Sequence, residues 1–366
     1  MKVENISVRQ FGVLVILYTI GTTILIIPSG LATLTRQDAW IASILGLGLN
    51  MLLVLFYNNL SRRFPDMTLV QYSEKILGKW LGKLVSLFFI FFSFIGAATV
   101  LFYMGNFITT EVMSETPIQA INVLYAMIVV MGLRLGLETL ARAGEILFPW
   151  VFAIFFVLAV SLLPEIQLYK VQPVFEAGGK QLLYAALSVT GTASLPFIVL
   201  FMIFPVNVND NQKARKVFIN ATLTGGIYFV VITFLCITVL GADLTANHLY
   251  PSYALAKIIN IGQFFQRVEV LIAAIWFITV YYKTTFYFYG FVVGIAQVCN
   301  LSDYRPLVLP CGMILVVYSL VVYPNVVYAA KFDSMVWIPF VMTFGLLMPC
   351  ILLVIDALRR RKNTKS

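Results

Sequence analysis

Charge is what this sequence has least of. Of its 366 residues only 11% are Asp, Glu, Lys or Arg, while 61% are hydrophobic, and the mean hydropathy is +0.93. The surface of a soluble protein of this length cannot be assembled from so few charges, which removes the soluble globular classes. Histidine occurs once, at His248, in a polar connection where it reads as solvated. The four cysteines, Cys236, Cys299, Cys311 and Cys350, are scattered in or beside apolar runs without CxxC or other metal-ligand spacing, so they read as small core residues. No phosphate loop, nucleophile elbow or His/Cys cluster is present, so no enzyme, cofactor or metal is expected. Acid is missing where it would matter most. Of 16 acidic residues none reads as lying in the middle of an apolar run, with Glu111, Glu138, Glu145, Glu269 and Asp356 near the ends of such runs.

What is abundant is apolar stretches of about 20 residues, each long enough for a transmembrane helix. Ten are read, at 11–34, 39–60, 84–110, 118–136, 143–163, 184–204, 216–240, 268–298, 306–323 and 334–357. The interrupted stretch 249–266 reads as a helix on the outer rim rather than another span. The chain is thus expected to be one all-α integral membrane domain over 1–366, with a basic tail at 358–366. The first run lacks a small-residue cleavage site and reads as a retained helix.

Basic residues test the count, because they collect on the cytoplasmic side. With both termini cytoplasmic, the inner segments hold Lys2, Arg9, Arg62, Arg63, Lys75, Lys79, Lys83, Arg134, Arg142, Lys213, Arg215, Lys216, Arg305 and the tail from Arg359 to Lys365. The outer segments hold only Arg36, Lys170, Lys180, Lys257, Arg267 and Lys331. The formal charge of +9 therefore reflects topology and anionic lipid rather than nucleic acid. The inner stretch "SRRFPDMTLVQYSEKILGKWLGK" is amphipathic and reads as lying on the membrane surface or as a partner-docking segment. Glu138 and Arg142, at i and i+4, read as a helix-end ion pair.

Two spans are interrupted in the same way. "YTIGTTILIIPSG" (18–30) places Gly21-Thr22-Thr23 in mid-membrane with Pro28 beyond, and "LSVTGTASLPF" (187–197) repeats this with Thr190-Gly191-Thr192 and Pro196. Either one alone has a packing explanation, since Gly and Thr also serve close helix contacts. As a pair they fall on the first and sixth spans, the matching members of two five-span halves, 11–163 and 184–357. Five is odd, so the halves enter the membrane from opposite sides, which is the inverted-repeat transporter plan with discontinuous first helices. An unwound turn bares backbone dipoles that must face ligand, water or buried protein. The resumed half-helix offers partial positive charge to a carboxylate. The preceding carbonyls suit an ammonium, and Thr22, Thr23, Thr190, Thr192 and Ser194 add hydroxyls. The site is shaped for a small zwitterion.

Lys283, in "FITVYYKTTFYFYG" (277–290), stands about midway along the eighth span, too deep to snorkel. With no acid at that depth its partner is expected to be carbonyls at a helix break or a ligand carboxylate. The alternatives are a wet junction between two short segments, or a neutral amine. The same lack of acid disfavours cationic ligands and favours a small neutral amino acid. Asn50 and Asn106 read as polar candidates or as interhelical glue.

The stretches "RFPDMTLVQYSEKILGKWLGK", "ETPIQAINVLYAM" (115–127) and "YTIGTTILIIPSG", with the "ALRRRK" end (357–362), resemble the B subunits of spore nutrient germinant receptors, within the amino acid–polyamine–organocation superfamily. The resemblance implies a leucine-transporter-type fold in the inner membrane of the spore, nutrient sensing, and a complex with an A subunit and a lipoprotein C subunit. It also implies a pocket built by spans 1, 3, 6 and 8. Here that means Gly21, Thr22, Thr23, Ser93, Ala97, Thr190, Gly191, Thr192, Ser194, Lys283 and Thr284. Some proton-coupled relatives in the superfamily carry a lysine on the fifth span; 147–163 has none, which leaves ion coupling open. Germinant sensing, secondary amino acid transport and a water or ion channel role all fit this architecture.

Overall fold

The computed structural model describes residues 4–259 and 268–363. Lys2, Lys365, Arg267 and the second half of the proposed rim segment lie outside the described residues. The described residues are mostly helical: α1 (Val8–Ile20), α2 (Thr23–Thr35), α3 (Ala39–Arg63), α4 (Leu69–Leu77), α5 (Lys79–Phe107), α6 (Ile118–Leu135), α7 (Leu137–Ser161), α8 (Gly179–Ala193), α9 (Asn211–Leu235), α10 (Ala242–Asn247), α11 (Pro251–Ile258), α12 (Glu269–Val298), α13 (Arg305–Val321), α14 (Val326–Phe332), α15 (Ile338–Met342) and α16 (Met348–Asn363). Among the described residues eight helical stretches are long and apolar enough to cross a membrane, and two further apolar helices, Val8–Ile20 and Arg305–Val321, are shorter. Neither α1 nor α2, of 13 residues each, reaches across about 30 Å of hydrocarbon at about 1.5 Å per residue; end to end they do.

α5 lies against α12 at the centre, α1 against α9, and α3 against α8. Exchanging the first half for the second turns the α1–α9 pair into the α8–α3 pair and maps α5–α12 onto itself. Close approach at these contacts requires glycine: a Cβ on Gly46 would fall 2.6 Å from Val189 Cβ, and one on Gly225 2.7 Å from Thr19 Cβ.

Polar contacts divide the molecule into two faces. On the face of the termini, Ile6 pairs with Val208, Arg305 with Glu4, Arg63 with Asp356, and Thr68 with Gln297. On the far face, Arg36 meets Asp243, Asp38 accepts the amides of Phe175 and Ala177, and Lys257 meets Glu111. Arg63 and Arg305, read as inner, thus fall on one face, and Arg36 and Lys257, read as outer, on the other. Exposed Arg142 and Glu138 pair at 2.5 Å, as their spacing anticipates.

Several boundaries differ from the sequence reading. Only Leu69–Leu77 of the amphipathic inner stretch is a separate helix, capped by Thr68 and Gln71. A turn at Gly78, with φ +86°, then leads into α5 at Lys79 rather than at 84. The last crossing starts at Val326 rather than 334 and reaches α16 through two π-helical turns, Asp333–Trp337 and Thr343–Leu347. α12 is one continuous helix of 30 residues, so Lys283 does not sit at a junction of two short segments. α11 is mostly buried, against α2 and α12. His248 is exposed. Asn106 is interhelical glue, its side-chain oxygen accepting from Tyr250 at 2.9 Å.

Candidate functional site

The first crossing comes apart where expected. α1 ends at Ile20, Gly21 takes φ 9° and ψ −114°, and α2 begins at Thr23. The hydroxyl of Thr23 lies 2.8 Å from the Thr19 carbonyl oxygen and 2.7 Å from that of Ile20, which covers orphan acceptors at the end of α1.

The second break lies later than the sequence motif suggests. Thr190, Gly191 and Thr192 are still helical, as the last full turn of α8; the break is at Ser194, and Leu195–Met202 continues as a 3₁₀-helix. Proline rather than glycine causes it. Pro196 has no N–H to give to Thr192, four residues back, and so leaves that carbonyl free. Ser194 donates to Asn50 Oδ1 at 2.5 Å, and Trp337 Nε1 donates to the Gly191 carbonyl at 3.1 Å. Tyr57 Oη lies 2.9 Å from the Leu195 carbonyl oxygen and 2.7 Å from that of Gly345, so the last crossing is tied down over the second break.

Lys283 joins the two breaks. From the middle of α12 its Nζ donates to Thr22 Oγ1 at 2.8 Å and to the freed Thr192 carbonyl at 2.8 Å. It also stands 5.4 Å from the centre of the Tyr18 ring. Its side chain is 2% exposed and makes no salt bridge among the described residues. Gly21 is needed for this crossing: a Cβ there would sit 2.7 Å from Lys283 Cδ and 2.9 Å from the Tyr18 carbonyl oxygen. The ammonium thus faces the negative end of α8 and lies beside the positive end of α2.

These groups wall a cavity of about 40 Å³, lined by Thr22, Ile26, Thr99, Val100, Tyr103, Thr192, Lys283, Tyr287, Asp333 and Trp337. It adjoins a wider space of about 410 Å³ toward the far face, across Ile26, Tyr103, Thr192, Asp333 and Trp337. Toward the termini, Tyr18 closes it against Phe197, Phe286 and Tyr287. Drug-sized ligand sites occupy hundreds of Å³, so the central space suits a group of few atoms.

Of the residues anticipated, Thr22, Thr192 and Lys283 meet around this cavity. Gly21 lets the lysine pass, Thr23 and Ser194 shape the breaks, and Gly191 stays helical with its carbonyl accepting from Trp337. Thr190 bonds back to Ala186, and Thr284 to Val280, each within its own helix. Ser93 packs against Gly290, and Ala97 is buried without lining the cavity. α5 instead presents Thr99, Val100 and Tyr103, further along the helix. Asp333 was missed, and the correction is to the bounds of the last crossing: it begins at Val326 rather than 334, so an acid stands inside it and at the cavity, though not at its middle. The argument from missing acid against cationic ligands falls with that correction.

The family model described as spore germination protein matches residues 5–327. Among characterised relatives, spore germination protein KB of Bacillus subtilis is 28% identical over 375 residues, covering 100% of this chain and 98% of that one. Spore germination protein YndE of the same organism is 28% identical over 368 residues, with 98% of each chain covered. Among solved structures, MhsT in complex with L-phenylalanine superposes with a TM-score of 0.65 at 13% identity, covering 98% of this chain and 99% of that one. Mhp1, a nucleobase-cation-symport-1 family transporter, gives 0.62 at 13% identity, covering 94% and 78%. At such identities the likeness is one of fold, the leucine-transporter-type fold. By sequence, this membrane-embedded chain belongs to the spore germination protein family.

Proposed function

We propose that the chain is the nutrient-sensing membrane subunit of a germinant receptor, binding a small amino acid between the two broken crossings and signalling through partner subunits. The observation that carries this reading is Lys283, a buried cation that spans both breaks at the wall of a cavity continuing toward the far face. A ligand carboxylate is the group that the ammonium and the positive end of α2 together favour. Because both breaks share that ammonium, a ligand that competes for it changes how the two half-bundles are tied. The signal is the difference in its affinity for the two arrangements. The MhsT structure, with an amino acid bound in this fold, supports the ligand class.

The partners in this reading are an A subunit and a lipoprotein C subunit, and the location is the spore inner membrane. Ten crossings leave both termini cytoplasmic. The basic surplus on the face of the termini, including Arg62, Arg63, Lys75, Lys79 and Lys213, favours that orientation.

The test is reconstitution. Purified protein in nanodiscs is screened by thermal shift against the proteinogenic amino acids singly, and the hits are tested for uptake into proteoliposomes. Saturable binding without gradient-driven accumulation is expected. Strong accumulation identifies a transporter, and binding of no amino acid overturns the reading. Spores with and without the chain, exposed to single amino acids and sugars, then report which nutrient triggers germination through it.

A further inference from the structure

We propose that Asp333 is a specificity-determining residue that takes the ammonium of the ligand, so that the site reads both ends of a free amino acid. The inference rests on the amino acid reading above and adds to it the anchor for the second charge. Asp333 opens the π-helical turn Asp333–Trp337, inside the last crossing. Its carboxylate accepts one hydrogen bond, from Tyr103 Oη at 2.6 Å. Among the described residues it forms no salt bridge. Asp333 is partly exposed where the two cavities meet, and one phenol takes about a quarter of a carboxylate's acceptor capacity, so the remaining acceptors are open to a ligand in the cavity.

The cation is near but not engaged. Lys283 and Asp333 line the same cavity, yet each is bonded elsewhere, the lysine to Thr22 and Thr192 and the aspartate to Tyr103. Two opposite charges that share a small cavity without pairing leave a gap with one positive and one negative wall. The molecule complementary to that gap is a small zwitterion, which on the amino acid reading is a free amino acid. Tyr103 and Asp333 also line both the central cavity and the wider one, so their hydrogen bond stands at the junction between the two. A ligand ammonium entering from the far face replaces the Tyr103 hydroxyl on Asp333, and the same contact then admits and identifies it.

The test uses matched pairs in nanodiscs: L-alanine and L-lactate, L-valine and 2-hydroxyisovalerate, L-leucine and 2-hydroxyisocaproate, L-phenylalanine and phenyllactate. Each 2-hydroxy acid keeps the carboxylate and side chain and carries a neutral hydroxyl in place of the ammonium. For every amino acid that binds wild-type protein, its 2-hydroxy acid is expected to bind about 10- to 100-fold more weakly, as befits loss of a charged hydrogen bond. D333N is expected to erase that difference by weakening the amino acid and sparing the hydroxy acid, while Y103F keeps the discrimination. Equal binding of the members of a pair by wild type overturns the inference, with no variant required. So does undiminished discrimination in D333N. If none of the amino acids binds wild type, the reading beneath it has failed as well, and the two failures are thereby distinguished.

Discussion

Gly21 offers the sharpest perturbation, because the structure separates it from the other glycines of the broken crossings. In Gly21→Ala the new methyl would lie 2.7 Å from Lys283 Cδ and 2.9 Å from the Tyr18 carbonyl oxygen. The lysine chain can bend away, but the carbonyl belongs to α1 and cannot move alone. Overpacking of this kind costs about 1–3 kcal/mol. A lysine pushed aside also forfeits at least one charged hydrogen bond, worth about 1.5–3 kcal/mol. Together these amount to about 2.5–6 kcal/mol, a fall in melting temperature on the order of 5–12 °C. Two controls sit nearby. A Cβ on Gly30 meets nothing within 4 Å, and one on Gly191 meets only ordinary contacts of 3.5 Å or more. Gly30→Ala and Gly191→Ala should therefore melt within about 1 kcal/mol of wild type. The assay is thermal unfolding by tryptophan fluorescence in nanodiscs, alongside the amino acid screen. Equal damage from Gly21→Ala and Gly191→Ala, or a wild-type melt for Gly21→Ala, would refute the claim that Gly21 is there to let Lys283 reach across.

Three further outcomes are expected. Lys283→Met keeps most of the volume but removes the bridge between Thr22 and the Thr192 carbonyl, so the amino acid dose–response should move about 10-fold or more to higher concentration; an unchanged curve removes Lys283 from the mechanism. Tyr57→Phe deletes the hydroxyl shared by the Leu195 and Gly345 carbonyls and should cost about 1–3 kcal/mol in a thermal melt. On the face of the termini, Asp210 caps α9 through the amides of Gln212 and Lys213, and those bonds, chiefly the one to Lys213, hold its carboxyl below the ordinary value of 3.8. The folded pKa is the lower one, so the cap is fully present above about pH 3.8 and is lost as the pH falls through the folded value. Hydrogen-exchange protection in the first turn of α9, corrected for the intrinsic pH dependence of exchange, should fall over that acid range and stay level between pH 6 and 8.

Much of this architecture was legible in the residues, and for physical reasons. Apolar run length and the asymmetry of lysine and arginine report the solvent around each segment, so they give the membrane domain and its two faces. A lysine in mid-run, with no acid in the middle of any apolar run of the sequence, points to backbone carbonyls as partners, and Thr192 supplies one. The second break was placed early because Thr190-Gly191-Thr192 echoes the first motif, whereas the helix obeys the missing N–H of Pro196. Asp333 was lost because Lys331 and Asp333 look like the charged margin of a span, although the helix starts at Val326 and carries them inward. Ser93 and Ala97 were chosen over Thr99, Val100 and Tyr103 because the depth and rotation of a uniformly apolar helix leave no mark on its sequence.

The most direct measurement is a cryo-EM map of the chain in nanodiscs at saturating concentration of an amino acid found by the screen. The account predicts that helix density is interrupted at 21–22 and at 194, with ligand density touching Lys283 between them. Two unbroken crossings, or a ligand lodged elsewhere while Lys283 keeps both of its protein partners, would contradict it.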